Sequence, residues 1–297
     1  MTATELSALI QIMRERGRPD QPTVPDMRAR YELLGEKFPA PADARVETVS
    51  AGGCPAEIVS APGVAGDRWI VYLHGGGYVI GSCATHRNLA YALSRAGDAQ
   101  VLLLDYRLAP EHPFPAAVED AVGAYRWLLQ RGARPERTAI AGDSAGGGLT
   151  VSALVVLQDD GDPLPAAGVC ISPWTDMAGT GVTMRTKAEV DPVIWPGVIR
   201  WFADLYLAGA DDDSPLASPL HADLAGLPPL LIQVGTAECL LDDAVRLAEK
   251  ARAAGGEAVL EPADDMIHVW HMFAPILSEG RDAIERAGSF VKARTGG

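Results

Sequence analysis

The sequence predicts an α/β fold with a mostly parallel central sheet of about eight strands, flanked by helices on both faces. Short, continuous apolar runs alternate with longer stretches that carry apolar residues at helical spacing. The runs are rich in Val, Ile and Leu, which is typical of parallel strands buried on both faces. Hydrophobic residues make up 48% of the 297 residues, which is enough for a large buried core.

Two helical patterns precede the first strand. Thr2 and Glu5 have the spacing of a capping box at the start of the first pattern, and the second begins after Pro25. The apolar stripes of the two helices consist of Leu6, Leu9, Ile10, Met13, Met27, Tyr31 and Leu34. Because both helices come before any strand, residues 1–45 are predicted to be an appendage of the sheet rather than part of its core.

The strands begin at about residue 46. The segments VETVS and AEIVSAP, joined by AGGCP, predict a β-hairpin. The further predicted strands are WIVYLH, QVLLLDY, TAIAG, AGVCISP, LLIQVG and AVLEP. Helical stretches such as PAAVEDAVGAYRWLLQRG and DDAVRLAEKARAAGG separate them, and the second ends in glycines that act as a helix stop. Residues 46–175 and 216–297 are therefore predicted to form one α/β body.

One connection between strands is too long for a loop. It covers residues 176–215, whereas connections in α/β units usually have about two to six residues. Its helical stripe consists of Trp195, Val198, Ile199, Phe202 and Tyr206. Ligands bind outside the carboxyl ends of strands in open α/β sheets, where this insertion begins. Two compatible interpretations stay open: the stripe packs on the body, or it faces a substrate as a lid.

The segment AIAGDSAGGGLT places Ser144 between a predicted strand and an apolar helix. A phosphate-binding loop requires Gly-x-x-x-x-Gly-Lys-Ser/Thr, and no lysine follows here. In the alternative, a nucleophile turn of the form Gly-x-Ser-x-Gly, the glycines relieve crowding and the helix N-terminus favours developing negative charge. That motif is weak alone, so its position between strand and helix supports Ser144 as the nucleophile.

A glycine loop can supply an oxyanion hole, which a serine nucleophile requires. The strand WIVYLH ends in His74 and is followed by Gly75, Gly76 and Gly77, whose bare N–H groups can converge on one oxygen. The competing interpretation is the dinucleotide fingerprint G-x-G-x-x-G. It is disfavoured because Ile80 stands where its third glycine would be.

A base and an acid complete the predicted chemistry, in the chain order serine, acid, histidine. His268 and His271 follow the last strand, and the loop position favours His268, whereas His271 is expected at the start of the closing helix. The loop after LLIQVG offers Glu238, Asp242 and Asp243. Glu238 is closest to the strand end and is preferred as the acid, with Asp242 as the alternative, because the two aspartates are expected to cap a helix.

Composition narrows the partners and the compartment. A formal charge of -14 argues against nucleic acid or an anionic membrane as a partner. Cys54, Cys83, Cys170 and Cys239 show no metal-ligand spacing, so free thiols in a reducing compartment are expected. The N-terminal segment lacks the layout of a secretory signal, and no apolar run reaches membrane-spanning length. These features predict a cytoplasmic protein, and the predicted serine chemistry implies no metal or cofactor.

Together the segments resemble the hormone-sensitive-lipase-like esterases, also called bacterial family IV esterases, of the α/β-hydrolase superfamily. The matching segments, in the family's order and spacing, are HGGGYVIGS, DYRLAPEHPFPAAVEDA, GDSAGG, ECLLDD and MIHVWH. They span most of the chain from residue 71 onward. Members commonly carry aspartate in a D-x-L-x-D pattern where this sequence has Glu238, one methylene longer. The segment YRLAPEHPFPAA is interpreted as a structural turn near the site.

The resemblance implies an α/β-hydrolase fold with a cap built from residues 1–45 and 176–215. It also implies hydrolysis of short- to medium-chain carboxylic esters through an acyl-enzyme, with Ser144 as nucleophile and His268 as base. The oxyanion hole is expected from the N–H groups of Gly76, Gly77 and Ala145, with Gly75 as a less favoured contributor. Homodimers through the last strand and helix are a further implication.

Two alternatives to ester hydrolysis stay open. A lactonase or amidase uses the same machinery, and the sequence hardly distinguishes these activities. A ligand-binding protein on the same scaffold, like the plant gibberellin receptors, is disfavoured because those receptors have lost the triad histidine, whereas this sequence retains His268.

Overall fold

The computed structural model describes residues 3–19 and 21–296 and has an eight-stranded sheet at its centre. Thr2, a predicted capping residue, lies outside the described residues. The strands are β1 (Arg45–Ala51), β2 (Cys54–Ser60), β3 (Trp69–Leu73), β4 (Gln100–Leu104), β5 (Thr138–Asp143), β6 (Ala167–Ile171), β7 (Leu230–Gly235) and β8 (Ala258–Ala263). Each overlaps a segment that the sequence predicts to be a strand, although β1, β2, β5 and β8 extend one or two residues beyond it.

The helices surround this sheet; the first two precede β1, the last follows β8, and the others lie in connections between strands. They are α1 (Ala3–Arg16), α2 (Val24–Lys37), α3 (Cys83–Gly97), α4 (Ala116–Gln130), α5 (Ala145–Asp159), α6 (Thr183–Thr186), α7 (Pro196–Leu207), α8 (Leu241–Ala253) and α9 (Ser278–Arg294). The second helix starts one residue before Pro25, because Thr23 is its N-cap and accepts a hydrogen bond from the Asp26 N–H at 3.3 Å.

The strand order is β1-β2-β4-β3-β5-β6-β7-β8. The predicted hairpin pairs β1 with β2, β2 is antiparallel to β4, and every pair from β4 to β8 is parallel. The predicted α/β class with a mostly parallel sheet is therefore confirmed. Because parallel strands end at the same edge, the segments that follow β3, β5, β7 and β8 meet there.

Two apolar layers cover the faces of the sheet. Helices α3 and α9 pack on one face, and α4, α5 and α8 pack on the other. Strands β5, β6 and β7 are buried along their whole length, which accounts for their continuous apolar sequences.

The two N-terminal helices and the long insertion lie over the carboxyl edge of the sheet. Leu6 and Leu9 of α1 pack against Trp270 and Phe273, in the segment after β8. In α7 the stripe predicted from the sequence packs on the body, and Tyr206 stacks on Tyr78 with ring centroids 3.8 Å apart. None of the helices in the described part of the chain combines the length and hydrophobicity that a membrane crossing requires.

Candidate active site

Ser144 occupies the sharp turn between β5 and α5. Its backbone has φ of 53° and ψ of −119°, a conformation that non-glycine residues rarely adopt. Such strain costs roughly 1–3 kcal/mol and persists only where the surrounding structure imposes it. Here the Ser144 N–H donates to the carbonyl oxygen of Ile171 at 2.8 Å, which ties the turn to the end of β6.

The glycines around Ser144 are required by close approach. A Cβ at Gly146 would lie 1.9 Å from the carbonyl oxygen of Leu73, and a Cβ at Gly142 would lie 2.2 Å from the carbonyl oxygen of Gly146. No side chain fits at either distance, so the turn can press against β3 only with glycine at both positions. The sequence pattern Gly-x-Ser-x-Gly thus has a steric cause in this fold.

An unbroken series of hydrogen bonds connects Ser144, His268 and Glu238. The Nε2 atom of His268 lies 2.9 Å from Ser144 Oγ, and its Nδ1 atom lies 2.6 Å from Glu238 Oε2. All three side chains are buried, with 8% of Ser144 and 4% of His268 exposed. The hydrogen bond from Nδ1–H to the carboxylate leaves Nε2 as an acceptor for the serine proton.

The second carboxylate oxygen of Glu238 is held in place by two further hydrogen bonds. Its Oε1 accepts hydrogen bonds from the Gly235 N–H at 2.6 Å and from Ser172 Oγ at 2.8 Å. Ser172 Oγ in turn accepts from the Val269 N–H at 3.2 Å, next to His268. Sequence reasoning missed Ser172, although its position directly after β6 marks it as a polar residue at the edge where the site forms.

The other candidates for base and acid have different partners. His271 lies in a 3₁₀ turn, Trp270–Phe273, rather than at the start of the closing helix, and its Nε2 lies 2.9 Å from Gln233 Oε1. Burial lowers the pKa of His271 to about 3. Asp242 Oδ2 accepts from the Thr183 N–H at 3.0 Å, so it holds α6 rather than His268.

The expectation that the two aspartates cap α8 is wrong. The N-cap of this helix is Leu240, which has no side-chain hydrogen bond to the helix. Asp243 instead accepts from the N–H groups of Thr175 at 2.8 Å and Asp176 at 3.0 Å. Both carboxylates therefore anchor the segment that follows β6, a tertiary contact that competes successfully with local capping.

A second buried carboxylate, Asp191 of the long insertion, lies near the same histidine. Its Oδ2 accepts from the Cys239 N–H at 2.9 Å, and its Oδ1 accepts from the N–H groups of Val193 and Ile194. Burial raises the pKa of Asp191 to about 6, although the charge of His268 opposes this shift. Nothing in the sequence singled out Asp191, because the residues that connect it to the site, Cys239 and His268, are remote in the chain.

The charge of His268 is set by opposing influences. Burial lowers its pKa, but the charge of Glu238, the hydrogen bond to it, and the charges of Asp191 and Asp143 outweigh burial. The net effect is that the pKa of His268 lies above its ordinary value. The site thus stabilises the imidazolium that a base forms when it accepts a proton.

The glycine loop lies beside Ser144, and its N–H groups differ in their partners. The Gly75 N–H donates to Asp143 Oδ1 at 3.0 Å, so it is already engaged. Among the described residues, the N–H groups of Gly76, Gly77 and Ala145 have no hydrogen-bond acceptor. Both loop glycines line the same cavity as Ser144, and Ala145 is the first residue of α5. These three donors are therefore available to an oxygen bound at Ser144, and Gly75 is not.

A buried polar cluster holds the glycine loop against the serine turn. Asp143 Oδ1 accepts from Tyr72 at 2.8 Å and lies 3.4 Å from His86 Nε2. Burial would raise the pKa of Asp143, but His86 and Tyr72 bring it below the usual range. Tyr106, in the predicted structural turn, donates to the His74 carbonyl at 2.7 Å and stacks on the His74 ring. The carboxylate next to Ser144 thus positions the loop.

A cavity of about 230 Å³ opens above Ser144. Its walls come from three parts of the chain: the N-terminal helices, the long insertion, and the edge of the sheet. The apolar side chains that line it include Met13, Met27, Leu34, Ile194, Trp195, Val198, Ile199, Phe202 and Met272. Phe202 also contacts the loop so closely that a Cβ at Gly77 would lie 2.5 Å from its ring. The helix predicted as a lid therefore both packs on the body and faces the cavity.

Residues 3–19 and 21–296 contain neither a cluster of metal-ligating side chains nor a disulfide bond. No three His, Cys, Asp or Glu side chains there are grouped so that they could hold a metal ion. Cys54, Cys83, Cys170 and Cys239 are all buried and carry no disulfide bond.

Comparison with known proteins assigns this arrangement to a family. A model of the α/β-hydrolase fold matches residues 70–272. The chain is 47% identical over 296 residues to the acetyl-hydrolase of Streptomyces hygroscopicus, an overlap that covers 100% of this chain and 99% of the relative. The predicted α/β-hydrolase fold is confirmed by this match and by the solved structures.

The solved structures are similar over nearly the whole chain. An esterase from the bacterial hormone-sensitive lipase family is 52% identical and has a TM-score of 0.97 over 99% of both chains. EstE5, in a crystal soaked with p-nitrophenyl butyrate, is 51% identical and has a TM-score of 0.96 over 100% of both chains.

Proposed function

This chain belongs to the hormone-sensitive-lipase-like carboxylesterases of the α/β-hydrolase superfamily, and we propose that it hydrolyses esters through Ser144, His268 and Glu238. The observation that carries this assignment is the continuous hydrogen bonding from Ser144 Oγ through His268 to Glu238, at 2.9 and 2.6 Å. A serine alcohol is a weak nucleophile, and an adjacent base oriented by a third group is the arrangement that activates it.

Acylation begins with a proton transfer. His268 Nε2 removes the Ser144 proton as Oγ attacks the ester carbonyl, and the imidazolium that forms is stabilised by Glu238. Glu238 also fixes the tautomer, because it accepts the Nδ1 proton. The imidazolium then donates its Nε2 proton to the leaving alkoxide, and an acyl-enzyme remains on Ser144.

The tetrahedral intermediates carry a negative oxygen that needs hydrogen-bond donors. We assign this role to the N–H groups of Gly76, Gly77 and Ala145, which have no acceptor among the described residues. The N-terminus of α5 adds a favourable partial charge. Water, activated by His268, then attacks the acyl-enzyme, and the carboxylic acid leaves as the serine recovers its proton.

The proposal is tested with p-nitrophenyl butyrate, the ester soaked into crystals of EstE5. Ser144→Ala and His268→Ala should each lower kcat by a factor on the order of 10⁶, while both proteins keep their thermal unfolding transition. Appreciable activity in Ser144→Ala would show that the nucleophile is another residue. A panel of acyl lengths that includes a lactone and an anilide separates esterase from lactonase and amidase activity.

The size of the cavity beneath the proposed cap limits the acyl-chain length of the substrate. We propose that residues 1–45 and 176–215 act as a cap over a catalytic body of residues 46–175 and 216–297. The cavity of about 230 Å³ is small and mainly apolar, which supports short- to medium-chain acyl groups as substrates. Activity that falls steeply beyond medium chain lengths would support this, and a maximum at long-chain esters would contradict it.

We also propose that the enzyme is a cytoplasmic homodimer. The support for the dimer is that β8, paired with β7, is the edge strand of the sheet formed by the described residues, and Val259 on β8 is 37% exposed. The family resemblance also implies that the dimer interface consists of this last strand and the last helix. A molar mass equal to that of one chain, measured by light scattering, would contradict the proposed dimer.

A further inference from the structure

The solvent-exposed charged side chains that line the cavity are all positively charged. Four exposed cations, which we call the cationic rim, line the cavity: Arg16, Arg18, Arg30 and Lys37. The carboxylate among the lining residues is Asp143, which is 1% exposed and engaged by the glycine loop. In a protein with a formal charge of -14, this local excess of positive charge is opposite to the overall balance.

Arg18, Arg30 and Lys37 have partners other than carboxylates. In the ranges 3–19 and 21–296, no carboxylate lies within 4.0 Å of any of their charged groups. Arg30 Nη2 donates to the carbonyl oxygen of Gly17 at 3.3 Å, and Lys37 Nζ lies 5.6 Å from the centre of the Phe38 ring. Neither contact neutralises the cation, so the rim keeps its capacity to attract an anion.

Arg18 is fixed in place by the long insertion. Its Nη2 donates to the carbonyl oxygens of Ala188 and Asp191 at 2.5 and 3.0 Å, and its guanidinium lies 5.3 Å from the centre of the Trp195 ring. The Nε and Nη1 donors have no partner among the described residues. An anchored guanidinium with donors left over is suited to a carboxylate, because little side-chain entropy is lost on binding.

The ordinary explanation of these cations covers only part of the rim. Arg16 and Lys37 lie in the last turns of α1 and α2, where positive charge stabilises helix ends. Arg18 lies beyond the end of α1, and Arg30 lies in the middle of α2, so helix ends do not account for them. What the four share is the cavity that leads to Ser144.

We propose that the preferred substrate is an ester whose acyl chain ends in a carboxylate, which binds the cationic rim while the scissile carbonyl lies at Ser144. The apolar cavity walls take the methylene groups between these two ends, and the rim pairs with the terminal charge. This inference rests on the proposed esterase function and names the substrate class of that site.

The test compares esters of matched length with the same leaving group. The mono-p-nitrophenyl esters of adipic and suberic acid carry a terminal carboxylate, and p-nitrophenyl hexanoate and octanoate are their neutral counterparts. The measured quantity is the ratio of kcat/KM for the anionic ester to kcat/KM for the neutral ester. In the wild type this ratio should exceed one for at least one length and fall as sodium chloride is added, because salt screens the rim.

Variants of the cationic rim distinguish binding of the substrate carboxylate at the rim from an effect of the protein's overall charge. The triple variant Arg16→Gln, Arg30→Gln, Lys37→Gln should lower the ratio roughly tenfold, as expected for several partly exposed ion pairs. Arg14→Gln is the matched control, because Arg14 lies on α1 but does not line this cavity, and it should leave the ratio unchanged.

Each outcome has a distinct meaning. A wild-type ratio at or below one at both lengths, or a ratio that is unchanged both in the triple variant and in Arg18→Gln, would overturn the inference while leaving the esterase intact. Absence of wild-type activity toward both the anionic and the neutral esters would refute the proposed function instead. Equal effects of Arg14→Gln and the triple variant would show that overall charge, and not the rim, is responsible.

Discussion

Asp191 accepts a hydrogen bond from the backbone N–H of Cys239 at 2.9 Å, one residue after Glu238. The contact joins the long insertion to the loop that carries the proposed acid. It also brings a second buried carboxylate into the field of His268, whose pKa it raises together with Glu238 and Asp143. The insertion that lines the cavity thus also influences the proposed base.

Asp191→Asn is expected to change the pH dependence of the reaction. His268 acts as a base only when neutral, so kcat/KM falls as the pH drops below its pKa. Removal of the Asp191 charge lowers the pKa of His268, so the acidic limb should move to lower pH, by up to about one unit. The pH profile of kcat/KM measures the shift. An unchanged profile with a lower melting temperature would reduce Asp191 to a structural role.

Ser172→Ala is expected to weaken catalysis more than binding. The hydroxyl donates to Glu238 at 2.8 Å and accepts from the Val269 N–H, so it aligns the acid with the segment that carries His268. Its loss should lower kcat roughly tenfold, the equivalent of about 1.4 kcal/mol, with a smaller change in KM. Ser152→Ala is the control, because Ser152 is buried and bonded to the Gly148 carbonyl in α5. Equal losses in both variants would argue against an aligning role.

Two variants test whether Glu238, and not Asp242, is the acid, and whether its side-chain length matters. Glu238→Asp shortens the side chain by one methylene, so the carboxylate can no longer reach His268 while it keeps its bonds to Gly235 and Ser172. We expect kcat to fall by roughly 10- to 100-fold, or about 1.4–2.7 kcal/mol. Asp242→Ala, which removes a contact to Thr183, should lower stability with kcat nearly retained. A large loss of kcat only in Asp242→Ala would overturn Glu238 as the acid.

Gly146→Ala is expected to disrupt the serine turn. The new Cβ would lie 1.9 Å from the Leu73 carbonyl oxygen, so β3 and α5 would have to separate. The free energy of unfolding should fall by about 3 kcal/mol or more, and activity should be lost. Gly123→Ala in α4 meets nothing within 4 Å and should be neutral or stabilising by about 0.4–1 kcal/mol. Denaturant unfolding of both variants measures the contrast.

The strands and the serine turn could be predicted because their signals are local. A strand buried on both faces must be continuously apolar, as β5 to β7 are, and a turn pressed against β3 must have glycine on either side of Ser144. The choice of Glu238 over Asp242 also followed from position, since only a residue close to the strand end lies near the histidine loop. Its role and those of His268 and the glycine loop stay proposals until the variants are measured.

The remaining errors came from contacts between distant segments. The sequence suggested that Asp242 and Asp243 cap α8, but both hold the segment after β6. His271 was expected to open the closing helix, but it lies in a 3₁₀ turn whose Trp270 and Phe273 pack against α1. Local propensity cannot reveal such partners, since it depends only on neighbours in sequence.

By itself, the sequence determined the sheet, the turn at Ser144 and the family resemblance, because periodicity, glycine spacing and motif order are properties of the linear chain. Only the tertiary structure decided which N–H groups beside Ser144 are unoccupied, that Ser172 and Asp191 converge on the acid loop, and that four cations line one cavity. The contacts of Ser172 with Glu238 and of Asp191 with Cys239 join residues 66 and 48 positions apart. They exist only once the parallel strands bring their carboxyl ends to one edge.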